Sequence, residues 1–147
     1  MKTKVAFVEE TKMVKKETYI AKDGKEFVTR GECISYEEEL LDKEISKIRT
    51  CKALDGRRPF NGDEYSENHT YKWFYPVSTE EVDLLRERYF DLAIDDSSIG
   101  QWVCIEENDY GDFSYATNLS DCIKHAKRIL ETLGYSMTVE KVGEADV

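Results

Sequence analysis

Cys122 and His125 stand three residues apart in TNLSDCIKHAKRIL, a spacing that presents both side chains on one flank of a helix. A thiolate and an imidazole so placed could share a metal ion or act as nucleophile and base. Either chemistry needs further partners, and His69 is the other histidine of the chain. Carboxylates offer a second route. Asp83, Glu87, Asp91, Asp95, Asp96, Glu106, Glu107, Asp109 and Asp112 crowd into thirty residues. Paired carboxylates bind divalent cations or serve as general acid and base, whereas spread over a surface they form a solvated face or meet a basic partner. The turn Glu107-Asn108-Asp109-Tyr110-Gly111-Asp112 lacks the alternating ligand order and distal glutamate of an EF-hand loop. Arg57 and Arg58 are candidate anion clamps for a small-ligand site. The nine carboxylates are the protein-binding residues on which the main expectation rests.

Charge sets the class of partner. The 147 residues carry a formal net charge of -10. Residues 1–30 hold eight basic and five acidic groups, while residues 78–112 hold two arginines against eleven carboxylates. Nearly all the net charge therefore sits in one segment. Such a surface repels phosphate and anionic lipid and attracts a protein with a basic surface, so direct nucleic-acid and membrane binding are not expected. No glycine-rich phosphate loop, nucleophile elbow or HExxH motif is present, and no cofactor and no metal site are expected.

The elements that position these residues follow from pattern. Val5 to Val8 and Val14 to Ala21 read as strands, and Asp23-Gly24 turns the second into Glu26, Phe27 and Val28; Asp-Gly suits the positive φ of a type I′ turn. Thr29-x-x-Glu32 is a capping box opening a helix whose arc is Ile34, Leu41, Ile45 and Ile48. Lys52 to His69 has no apolar period and reads as a long loop. Tyr71 to Val77 is an aromatic strand, and Ser78-x-x-Glu81 caps a helix with Val82, Leu85, Tyr89 and Leu92 inward. Gln101 to Glu106 and Phe113 to Thr117 form a hairpin. Asn118 or Ser120 caps a helix with Leu119, Cys122, Ile123, Ala126, Ile129, Leu130 and Leu133 inward and Gly134 at its end. Tyr135 to Val142 reads as a last strand.

The expected class is α+β, an antiparallel sheet with helices on one face. From residue 71 the order βαββαβ is that of a ferredoxin-like fold, preceded by a βββα extension. The corresponding boundaries are 1–50 for the extension, 51–70 for a mobile loop, 71–142 for the ferredoxin-like unit and 143–147 for a frayed tail. The four cysteines, Cys33, Cys51, Cys104 and Cys122, lie far apart with no CxxC pair, so free thiols are expected. Cys33 follows a hairpin that has no ligand residues, which sets aside a zinc module there. The apolar run near the N-terminus is too short for a signal core and no stretch suits a membrane span, so the expected compartment is the cytoplasm.

The elements Tyr-Ile-Ala-x-Asp-Gly-x-x-Phe at Tyr19–Phe27, Glu32-Cys33 and Tyr36-Glu37 resemble a segment recurrent in small uncharacterised proteins of bacteriophages and prophages of Gram-positive bacteria. The resemblance covers about the first third of the chain. It implies a mobile-element origin, where small acidic proteins bind and block host factors. The leading expectation is a non-enzymatic, inhibitor-like protein that binds a host nucleic-acid-binding or defence protein. The alternatives are a small ligand-binding or divalent-metal-dependent enzyme domain, and a homo-oligomer subunit joined through the Tyr71 to Val77 strand.

Overall fold

The computed structural model describes residues 1–9, 13–57, 69–112 and 114–144. The chain is α+β with antiparallel sheets, and it divides into two compact units, Met1–Glu44 and Ile45–Val147. Among the described residues no helix is long and apolar enough to cross a membrane.

The first unit pairs β1 (Lys2–Glu9), β2 (Met13–Ile20) and β3 (Glu26–Phe27) in that order, with Lys2 opposite Ile20 and Tyr19 opposite Phe27. Strand pairing stops at Ile20 and Glu26, which leaves five residues for the connection. Its turn closes with the Gly24 N–H donating to the Ala21 carbonyl at 2.9 Å. Gly24 has φ +92°, whereas Asp23 stays on the ordinary side of φ. This is a turn followed by a left-handed glycine and not the expected type I′ turn; the longer loop obtains its twist from one glycine instead of two central residues. Asp23 accepts hydrogen bonds from the Lys25 N–H and the Tyr36 hydroxyl, and these hold its carboxyl below the usual carboxylate range, the tyrosine bond contributing most.

Tyr36 belongs to α1 (Arg30–Ile45), where the Thr29 hydroxyl accepts the Glu32 N–H at 3.2 Å as an N-cap. Cys33 is fully buried, with Tyr36, Glu37, Leu40 and Leu41 half-buried on following turns. The inward stripe therefore starts at Cys33, while Ile34 is half-buried. A thiol side chain is small and apolar enough to serve as core.

In the second unit β4 (Arg49–Thr50), β5 (His69–Tyr75), β6 (Val103–Asn108) and β7 (Ser114–Asn118) pair in chain order. Trp73 lies opposite Cys104, and Phe74 opposite Val103. Because side chains alternate along a strand, these two rows face opposite sides of the sheet. On one side Phe74, Val103 and Ile105 are almost fully buried, as are Val82 and Leu85 of α2 (Thr79–Arg88). The Tyr89 ring meets Phe74 edge-on at 6.1 Å. Each of those five side chains contributes about 1.5–3 kcal/mol by leaving water. On the other side Tyr71, Trp73 and Cys104 form a buried cluster with Cys51 and with Cys122 of α3 (Leu119–Thr132).

The helices meet opposite faces of the sheet, not one face. The ferredoxin-like strand order is also absent: β5 and β6 are adjacent, whereas that fold separates the strands joined by its first helix. The place beside β5 that a final strand would need is already taken. Arg49 and Thr50 pair with Tyr75 and Phe74, the Cys51 N–H donates to Trp73 at 3.2 Å and the Gly56 N–H to Tyr71 at 2.9 Å. Tyr135 to Val142 forms no strand. Helix α3 ends in a Schellman motif, with the Tyr135 N–H reaching the Leu130 carbonyl at 2.8 Å, the Gly134 N–H reaching Glu131 at 3.1 Å and Gly134 at φ +90°. Of the expected loop 51–70, residues 52–54 form a 3-10 turn and 69–70 begin β5, while 58–68 lie outside the described residues.

Candidate functional site

Helix α2 displays the acidic segment. The Ser78 hydroxyl accepts the Glu81 N–H at 3.2 Å, and the Glu81 carboxylate accepts the Val77 N–H at 3.0 Å, so the capping pair fixes where the helix starts. Val82, Leu85, Tyr89 and Leu92 are all buried, as their spacing predicts. That rotation leaves Asp83 and Glu87 exposed. Beyond the helix Asp91 adopts φ +57°, a left-handed conformation that aspartate tolerates better than most residues. It turns the chain toward a second short 3-10 turn, Asp96–Ser98, capped by Asp95, whose carboxylate accepts the Ser97 N–H at 2.9 Å and the Ser97 hydroxyl. These bonds, the hydroxyl first, hold the Asp95 carboxyl below the usual range, and Arg86 adds to the effect. Asp83, Asp95 and Asp96 line a shallow cleft with Thr79, Arg86 and Ser97. Asp83, Glu87, Asp91, Asp95 and Asp96 are all exposed.

The remaining four expected residues lie elsewhere. Glu106 and Glu107 are successive residues of β6 and so point to opposite faces. Glu106 accepts the Tyr71 hydroxyl at 3.0 Å and lies 2.7 Å from His69 Nδ1; Glu107 pairs with Arg88 at 3.5 Å. Asp112 closes the β6–β7 turn, its N–H donating to the Asn108 side chain at 3.1 Å and its carboxylate accepting from the Asn108 amide. Asp109 is exposed in the same turn. The nine carboxylates thus do not form one face: five make a ridge along α2 and the turn after it, three are engaged by neighbours, and one stands on a hairpin tip.

Cys122 and His125 separate. Cys122 is buried in the Trp73 and Cys104 cluster, where burial and then Asp121 raise its thiol pKa, while His125 is exposed. Burial, followed by Cys122 and Glu106, pushes Cys104 up to about 12. These thiols stay protonated at neutral pH and are poor nucleophiles. Among the described residues no group of three or more His, Cys, Asp or Glu could hold a metal ion. Arg58 lies outside the described residues, and the Arg57 N–H donates to Leu54. The aromatic strand expected at an oligomer interface is interior: β5 is paired on both edges and Tyr71, Trp73 and Phe74 are buried.

Two arrangements have no counterpart in the sequence reading. One is the His69, Glu106 and Tyr71 group, drawn together across the β5–β6 ladder by the pairing of Tyr71 with Glu106. The other is a cleft at the opposite end of the sheet, where Arg49 lies over the rings of Tyr75 and Trp102. Abundant aromatics are the one sequence signal for it, and they do not say which residues meet. No protein-family model matches the chain, and no curated protein or solved structure is significantly similar to it.

Proposed function

We propose that this is a non-enzymatic, cytoplasmic binding protein that engages a partner protein with a basic surface through the acidic ridge of α2 and the turn after it. The observation that carries the reading is the exposure of Asp83, Glu87, Asp91, Asp95 and Asp96 along one helix and its exit, with Phe90 exposed among them. Carboxylates displayed in this way steer association with a basic partner and fix its orientation, and an exposed aromatic within them supplies an apolar anchor. The resemblance of Tyr19–Glu37 to phage and prophage proteins supports a host factor, such as a nucleic-acid-binding or defence protein, as the target.

The test is affinity capture from a bacterial host lysate at low and high salt, comparing the natural chain with one in which Asp83, Asp91, Asp95 and Asp96 become Asn and Glu87 becomes Gln. Asn at position 95 keeps an acceptor for the Ser97 N–H, so the fold is retained while the charge is removed. A partner held by the natural chain at low salt and lost by the neutralised one is the expected result. Equal capture by both chains would refute the acidic ridge as the binding surface.

A further inference from the structure

Arg49 is held in place before anything binds to it. It sits on β4 opposite Tyr75, and its guanidinium carbon is 5.1 Å from the centroid of the Tyr75 ring and 5.2 Å from that of Trp102. The two rings meet edge to face at 5.2 Å. Stacking of this kind fixes a guanidinium while leaving its in-plane donors available, and about a third of the Arg49 side chain remains exposed, 33%.

The surroundings are also fixed. Leu119 N–H donates to the Trp102 carbonyl at 2.7 Å, and Gln101 bridges two elements by accepting the Ser120 N–H at 3.0 Å and donating to the Ser97 carbonyl at 2.7 Å. Leu119, Ile123, Val139 and Val142 add apolar wall to a cleft of ≈ 510 Å³. That volume falls within the range of small-molecule sites, which pair apolar walls with a few placed polar groups.

One wall comes from the chain after α3. Residues 136–144 take part in no backbone hydrogen bond among those of the described residues outside helices and strands. The segment reaches Arg49 through the Glu144 carboxylate at 3.6 Å, longer than a direct charge-assisted hydrogen bond, while Glu144 lies 3.0 Å from Lys141. Glu144 thus shows the charge that the guanidinium accepts without satisfying its geometry.

We propose that the Arg49, Tyr75 and Trp102 cleft binds a small amphiphilic anion, a carboxylate or phosphate head on a ring-sized apolar body, and that Glu144 occupies the head position until the ligand displaces it. The head takes the exposed guanidinium edge, and the body lies against Trp102, Leu119 and Ile123. This site is separate from the acidic ridge and does not depend on it.

The two tryptophans make the test direct, because Trp73 is buried in the core and Trp102 lines the cleft. Naphthylacetate, naphthyl phosphate and the methyl ester of naphthylacetate are titrated into the full chain, and the indole N–H signals are followed by NMR. The expected result is movement of the Trp102 signal with Trp73 unmoved, and binding of one or both anions ~10-fold tighter than the ester, the factor a charge-assisted contact supplies. Which anion binds more tightly distinguishes carboxylate from phosphate ligands. Arg49→Gln removes the preference for anions, with an unmoved Trp73 signal reporting an intact core. Glu144→Gln, an exposed change, tightens anion binding ~2–5-fold by removing the competitor. Absence of binding by both anions, an ester that binds as tightly as they do, or unchanged anion binding by Arg49→Gln overturns the proposal. Unchanged affinity in Glu144→Gln overturns the role of Glu144.

Discussion

Alkaline pH should destabilise the second unit, in part through the buried thiol of Cys104. Cys104 is 3% exposed on β6, directly opposite Trp73 and Thr117, and it packs with Cys51 and Cys122. Burial raises its pKa from 9.0 to about 12, because a thiolate in that cluster has lost its water. In the unfolded chain the same thiol ionises near its ordinary value. Below that value both states hold the proton and Cys104 adds no pH dependence; above it the unfolded state releases a proton that the folded state retains, so stability falls as pH rises toward 12. At ~1.4 kcal/mol per pH unit the whole window corresponds to a loss of ~4 kcal/mol, and ~2 kcal/mol is gone by about pH 10.5. Urea unfolding followed by tryptophan fluorescence reads this unit, since both tryptophans lie in it. The comparison is between the natural chain and Cys104→Ala, each at about pH 8 and about pH 10.5. The variant starts lower, because a buried sulfur is missing, but its stability should fall less steeply, by ~2 kcal/mol over that interval. Ionisation of the remaining groups, Cys122 included, is common to both proteins and cancels. Parallel falls in the two would refute the reasoning and place the alkaline sensitivity elsewhere.

Two further expectations concern α2, which carries the acidic ridge. Replacing Ser78 with Ala removes the acceptor of the Glu81 N–H and should lower stability by ~1 kcal/mol, whereas Ser78→Asn, which restores an acceptor, should recover most of it; thermal unfolding of the three proteins checks the order. Leu85→Ala leaves a cavity under a fully buried position and should cost ~2–5 kcal/mol in urea unfolding, while the exposed Asp83→Asn should leave stability nearly unchanged.

Helix α2 shows how far local pattern reaches. Its cap, its buried residues Val82, Leu85, Tyr89 and Leu92 and its exposed Asp83 and Glu87 are all legible, because a capping box and a 3.6-residue period are properties of neighbouring residues. The Gly134 stop of α3 is legible for the same reason. The inward face expected of α3 is wider than the one the fold buries: Cys122 is buried, but Ile129 and Leu133 are exposed, since an apolar stripe states what a helix could bury and not how far the sheet beneath it extends.

The expected final strand failed for a non-local reason. Tyr135 to Val142 has strand-like residues, but the place beside β5 that a ferredoxin-like last strand takes is occupied by β4 and the segment after it. The acidic cluster is divided for a similar reason. Nine carboxylates close in sequence suggest one surface, yet the two-residue period of β6 sends Glu106 and Glu107 to opposite faces, where His69 and Tyr71 meet one and Arg88 meets the other.

Residue type and short-range spacing are enough for the α+β class, the placement of α2 and α3 and the concentration of negative charge. Tertiary structure alone decided strand order, which carboxylates remain exposed, and the meeting of Arg49 with Tyr75, Trp102 and Glu144. The physical reason is that strand pairing and side-chain packing join residues far apart in the chain, and the choice among possible partners depends on which edges and faces the rest of the fold has already filled.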